Sequence, residues 1–121
     1  MKKILGTVAL LTLVILFFSQ LEAQTKKVKI TFIELGSVTC IPCKKMQPIM
    51  KSIEKKYGDQ IEVIFYDVIK EKDKAKKYNI KLIPTQVFLD ANGKEIHRHV
   101  GYWPEAEIDK FLQSKGLKSK G

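Results

Sequence analysis

Cys40-Ile41-Pro42-Cys43 holds the only two cysteines of the chain, two residues apart. That spacing closes a small disulfide ring that can open again. The pair lies between a strand-like run and a helix-like run, and cysteines at such a turn point to redox chemistry rather than to a structural bridge. At a helix N-terminus, backbone N–H groups and the helix dipole favour a thiolate, lowering the thiol from its ordinary pKa of about 8.5. Cys40 is therefore the expected nucleophile. It attacks one sulfur of a substrate disulfide and forms a mixed disulfide, which Cys43, about one helical turn deeper, resolves by closing Cys40–Cys43. Pro42 falls in the first helical turn, where its missing N–H costs nothing.

Three other groups carry chemical potential. Glu34 shares a strand face with Val28, Ile30 and Phe32. A carboxylate on an apolar face is costly without a partner or a use, and burial raises its pKa. The plainer reading is a strand-end glutamate reaching solvent. His97 and His99 stand two apart on a strand and so share a face. With the cysteines they supply the donors of a zinc or copper site, which makes a metal-binding module the alternative to redox chemistry. Ordinary exposed edge-strand histidines are the default, and no metal site is assigned. Tyr102-Trp103 reads either as an exposed contact surface or as a Trp packed under the last helix.

The elements that must position these groups follow from pattern. Val28 to Leu35 is rich in β-branched and aromatic residues, as a strand is. Met46, Ile49, Met50, Ile53 and Tyr57 recur at helical spacing, so Lys44 to Tyr57 is predicted helical, kinked or split by Pro48. Ile61 to Val68 is apolar on both faces, as a central or parallel strand is. Lys70 to Asn79 is a short polar helix, and Gln86 to Asp90 a third strand. Asn92-Gly93 signals a hairpin into Glu95 to Val100. Pro104 opens a last helix with Ile108, Phe111 and Leu112 on one face, and Lys115 to Gly121 reads as a frayed tail. The early strand–helix–strand units favour right-handed parallel crossovers and the hairpin adds an antiparallel pair. The fold class is α/β: a mixed four-stranded sheet with helices on both faces.

The 121 residues hold one domain. Lys2 and Lys3 precede an apolar run from Ile4 to Phe18 and a polar exit ending at Ala23, so residues 1–23 read as a signal peptide or an N-terminal membrane anchor, with residues 4–21 as the anchoring stretch, and 24–121 as the folded domain. Either way the domain is expected to be exported, to the periplasm or the extracytoplasmic face of a membrane. Small exported domains held by disulfides usually carry four or more cysteines at wider spacings. The ring closed here is too short to restrict the unfolded chain much, and reactivity explains the pair better. The net charge is +9. The lysines are scattered and interleaved with acids, which describes solvated helix faces rather than a nucleic-acid surface.

Taken together, these residues resemble the thioredoxin family over Val28 to Leu112. Cys40-Ile41-Pro42-Cys43 stands where the family has Cys-x-Pro-Cys, Glu34 where it has a buried acid, Pro48 where it has a helix proline, and Ile83-Pro84-Thr85 where it has Ile-Pro-Thr. Gly101 matches a glycine flanking the site. Thr39 replaces the usual Trp, Ile41-Pro42 the commoner Gly-Pro, and Phe65 the lysine that accompanies the buried acid. The first strand and helix of full-length thioredoxins are not matched.

The resemblance implies a thiol–disulfide oxidoreductase with Cys40, Cys43 and Glu34 as catalytic residues, Glu34 shuttling a proton for Cys43. Pro42, Ile83, Pro84 and Gly101 are implied to contact substrate, Pro84 through a cis peptide that holds the backbone of Ile83 against an extended partner. No cofactor is implied beyond the redox-active pair. The expected partners are disulfide-containing proteins and a membrane thiol carrier that supplies electrons, with the domain acting as a monomer. Ile83 and Pro42 resemble reducing members more than oxidising ones; a disulfide oxidase or isomerase is the alternative within the same chemistry.

Overall fold

The computed structural model describes residues 8–15 and 27–121. Residues 8–15 are helical and expose their apolar side chains, from Val14 at 50% to Leu10 at 67%. Among the described residues no helix is long and apolar enough to cross a membrane. The expected cleavage point after Ala23, and most of the 4–21 stretch, lie outside the described residues.

The domain runs β1 (Ile30–Gly36), α1 (Ile41–Tyr57), β2 (Ile61–Asp67), α2 (Lys72–Lys77), β3 (Thr85–Asp90), β4 (Glu95–Val100) and α3 (Glu105–Ser114). The strands form one sheet in the order β2-β1-β3-β4. β1 pairs parallel with β2 and antiparallel with β3, and β3 pairs antiparallel with β4. The expected mixed four-stranded α/β architecture is present.

Side-chain alternation divides the core between the two sheet faces. On one face Phe32 and Phe88 stack at 4.7 Å beneath Met46, Ile53 and Tyr57 of α1 and Ile108 and Leu112 of α3. On the other, Ile33, Leu35 and Val87 pack with Ala75 and Tyr78 at α2. Asp109 ties α3 to α1 by accepting from Lys56 Nζ at 2.6 Å and Tyr57 OH at 2.8 Å.

β2 is a parallel strand, one of the two placements its apolar faces predict, and it lies at the sheet edge, with β1 and β3 as the inner strands. Its faces pack on both sides, Val63 and Phe65 on one and Ile64 and Tyr66 on the other. Three details differ from the sequence reading. Helix α1 starts at Ile41, three residues before the expected Lys44, and runs unsplit through Pro48, which is exposed. The C-terminal segment is docked, not frayed. Leu117 is buried, Lys118 N–H donates to Gln60 Oε1 at 2.8 Å, and Lys120 N–H donates to the Lys56 carbonyl at 2.8 Å. The histidines of β4 are half-buried rather than exposed, because Trp103 and Phe111 cover them: His97 stacks on Phe111 at 4.7 Å and His99 on Trp103 at 4.7 Å.

Candidate active site

Cys40 is the N-cap of α1, with extended φ and ψ, and Pro42 lies in the first turn. A short loop presents it: Cys40 N–H donates to the Ser37 carbonyl at 3.4 Å, and the Ser37 and Thr39 hydroxyls lie 3.0 Å apart. No acid occupies the first turn of α1, while Lys55 and Lys56 occupy the last. Nothing in that turn cancels the positive end of the helix at Cys40.

Cys40 and Cys43 are joined by a disulfide, their Cα atoms 5.1 Å apart. Cys40 is half-buried and Cys43 fully buried. This asymmetry separates their roles: Cys40 is open to a large partner and Cys43 only to Cys40. The sulfur of Cys43 lies over the backbone of Gly36, where a Cβ would stand 2.9 Å from it. Gly36 ends β1 and shares the face of Glu34 two residues earlier. The buried cysteine and the buried acid are thus neighbours along one strand face.

Glu34 is fully buried. Burial pushes its carboxyl from the ordinary 4.5 up to about 8, against a smaller lowering from the Gln86 hydrogen bond. Gln86 Nε2 donates to Glu34 Oε1 at 3.2 Å, and Glu34 Oε2 is buried with no hydrogen-bond partner among the described residues. The sheet register sets Phe65, Glu34, Gln86 and His99 in one row across all four strands. Phe65 stands opposite Glu34, at the position where the resemblance leads one to expect a lysine. The reading of Glu34 as a solvent-reaching strand end is excluded by its burial.

The next row closes the site. Leu35 pairs with Thr85, and Thr85 with Val100, so the Ile83-Pro84 segment lies at the same sheet end as Gly36. The Ile83–Pro84 peptide is cis, Pro84 is buried, and its carbonyl accepts from Gly101 N–H at 2.7 Å. Gly101 has φ of 93°, a conformation that side chains rarely adopt, which accounts for glycine there. Val38, Ile41, Leu82 and Tyr102 are large exposed apolar residues in the segments flanking this end. Trp103 is not among them: its ring packs edge-on against Phe88 at 5.7 Å, and its backbone N–H donates to Met46 Sδ at 3.5 Å.

A separate open cleft of about 530 Å³ is lined by residues including Lys81, Leu82, Arg98 and Val100. Register puts Arg98 and Val100 on the opposite face from His99, so this cleft is not part of the cysteine site. Among the described residues no cluster of three or more His, Cys, Asp or Glu is placed to hold a metal ion. His99 Nδ1 lies 2.8 Å from Gln86 Oε1 and is already engaged.

A family model described as a thioredoxin-like domain matches residues 17–116. The chain belongs to the thioredoxin family. It is 32% identical over 93 residues to thioredoxin Y, chloroplastic, of Oryza sativa subsp. japonica, covering 77% of this chain and 55% of that protein. It is 29% identical over 92 residues to thioredoxin C-2 of Corynebacterium nephridii, covering 76% of this chain and 81% of that protein. The solved structure of a mutant thioredoxin from Halobacterium salinarum NRC-1 superposes with a TM-score of 0.66 at 20% identity, covering 80% of this chain and 83% of that one, and so matches the fold. As a thioredoxin-like thiol–disulfide oxidoreductase, the protein uses its Cys-x-x-Cys pair rather than a cofactor.

Two site residues are not evident from the sequence reading. Gly36 follows the expected strand Val28 to Leu35, and its need for a bare Cα is visible only once Cys43 is placed. Gln86 reads as an ordinary strand residue. Its signal is the polar residue on the same alternating face as Phe88, which mirrors Glu34 beside Phe32.

Proposed function

We propose that the protein is an exported reductant of protein disulfides. Cys40 attacks a substrate sulfur as the thiolate and displaces the other as a thiol that takes up a proton. Cys43 loses its proton to Glu34, attacks Cys40 Sγ, and expels the second substrate thiol. The substrate gains two electrons and two protons overall, and the pair ends as the Cys40–Cys43 disulfide. Pro84, Ile83, Pro42 and Gly101 form the surface on which an extended substrate segment rests, its backbone pairing beside Ile83.

The single observation that carries this reading is the stacking of an accessible Cys40 over a buried Cys43, with the buried carboxyl of Glu34 on the strand face beneath. Export is supported by Lys2, Lys3 and the apolar run from Ile4 to Phe18. An exported reductant is cut off from cytosolic reductants, so its oxidised pair is returned to dithiol by a membrane thiol carrier. The domain works as a monomer at the extracytoplasmic face of that membrane.

Insulin, whose interchain disulfides precipitate its chains when reduced, tests the activity with dithiothreitol as electron source. Wild-type protein accelerates precipitation and Cys40→Ser abolishes the acceleration. Full activity in Cys40→Ser overturns the reading. Labelling of the reduced cysteines in intact cells by a membrane-impermeant maleimide tests export; no labelling until lysis overturns it.

A further inference from the structure

The row Glu34, Gln86, His99 is a continuous hydrogen-bonded chain from the buried acid to a ring on β4. Gln86 Nε2 donates to Glu34 Oε1 at 3.2 Å, and Gln86 Oε1 lies 2.8 Å from His99 Nδ1. Gln86 is itself fully buried. A glutamine amide has a donor end and an acceptor end, and a carboxylate accepts only from the donor end. For the charged form of Glu34, Nε2 faces the carboxylate, Oε1 faces His99, and an N–H on Nδ1 satisfies it. His99 is held for this purpose: its ring lies flat on Trp103, at 4.7 Å and 8°. Desolvation lowers the His99 pKa, against a raising by a hydrogen bond to the backbone at Gly101 and with a smaller lowering from His97.

We propose that Gln86 and His99 are positioning residues for the proton-exchange group: His99 fixes which end of the Gln86 amide meets Glu34, and that amide pins one carboxyl oxygen so that the other stays unbonded on the face shared with Cys43. This rests on the assignment of Glu34 as the proton acceptor for Cys43. The unbonded oxygen is Glu34 Oε2, buried and without a partner. Among the described residues, the groups around the acid offer no other hydrogen-bond partner. Phe65 faces it from β2, the Cys43 sulfur lies over Gly36 beyond it from α1, and Gln86 alone offers a donor from β3. No charged group contributes to its titration. His97, the other titratable group near His99, stacks on Phe111 and Trp103 instead.

The decisive readout is the pH titration of the Glu34 carboxyl carbon by NMR in the full-length protein, which reports protonation whether or not the enzyme turns over. Gln86→Leu removes the only donor to the charged form and moves the midpoint up by about 1 pH unit. His99→Phe keeps a ring on Trp103 but loses the N–H, and moves the midpoint in the same direction. His99→Asn, whose Nδ2–H donates from nearly the same place, restores the wild-type midpoint. An unmoved carboxyl in Gln86→Leu overturns the proposal. So does a His99→Phe midpoint equal to wild type, or a His99→Asn midpoint equal to that of His99→Phe, which assigns His99 a stacking role only. If Gln86→Leu does not fold, the two His99 variants decide alone. Full insulin reduction by Glu34→Gln would instead remove the catalytic role of the acid, and the NMR midpoints would still decide whether Gln86 and His99 position it.

Discussion

The sulfur of Cys43 occupies the space where Gly36 would carry a side chain. A Cβ on Gly36 would stand 2.9 Å from Cys43 Sγ and 3.3 Å from Cys43 Cβ, with Phe65 at 3.6 Å on another side. The sulfur is covalently fixed to α1, so it cannot swing aside as the end of a flexible chain can. Gly36→Ala is therefore expected to lower the stability of the oxidised protein by about 1–3 kcal/mol, the usual cost of overpacking a core. Urea unfolding of the oxidised protein reads this; an unchanged midpoint contradicts the placement.

Glu34 gives stability an unusual dependence on pH. Its carboxyl titrates at about 8 when folded, against an ordinary 4.5. Between those values the folded protein binds a proton that the unfolded chain has released, so stability falls as pH rises through that window and levels off above it. The gap between the two values corresponds to about 5 kcal/mol at most. Glu34→Gln removes this cost. The variant is expected to be far more stabilised relative to wild type at pH 9 than at pH 5, while reducing insulin more slowly. Equal stability differences at the two pH values would show that Glu34 is not buried as a titrating acid.

The asymmetry of the cysteines predicts which mixed disulfide can be trapped. With Cys43→Ser, attack by Cys40 stops at the protein–substrate disulfide, which accumulates on a non-reducing gel. Cys40→Ser leaves Cys43 buried beneath the surface, and no adduct forms. Equal trapping by both variants contradicts the division into attacking and resolving thiols.

The C-terminal segment contributes to the core through Leu117, packed in the cluster of Ile53, Tyr57 and Leu112. Leu117→Ala is expected to cost about 2–5 kcal/mol, as for other buried leucines. Thermal or urea unfolding checks it. A loss within error would return residues 115–121 to the frayed tail that their lysine and glycine content suggests.

Much of this fold is legible in the chain because its local signals agree with one another. The alternating and helical periodicities of Ile30 to Tyr57 and the Asn92-Gly93 turn lead to the right elements in the right order. The cysteine pair stands out by type and spacing, and Glu34 as a carboxylate on an apolar strand face, its role coming from the family resemblance. What is not legible depends on where elements meet. Strand order is set by which apolar faces find helices, so the two apolar faces of β2 fit a parallel strand without saying that it lies at the sheet edge. Lys115 to Gly121 is polar in composition, and its docking depends on one leucine and on Gln60, far away in sequence. His97 and His99 look like a surface pair until Trp103 and Phe111 are placed over them. The row from Phe65 to His99 crosses four strands, and no local pattern announces it.

The central claim is that the Cys40–Cys43 pair gives electrons to substrates rather than taking them. Equilibration of the full-length protein with graded glutathione buffers measures its reduction potential directly. A reductant predicts a value near about −270 mV, whereas a value near about −120 mV would make the protein an oxidant and contradict the account.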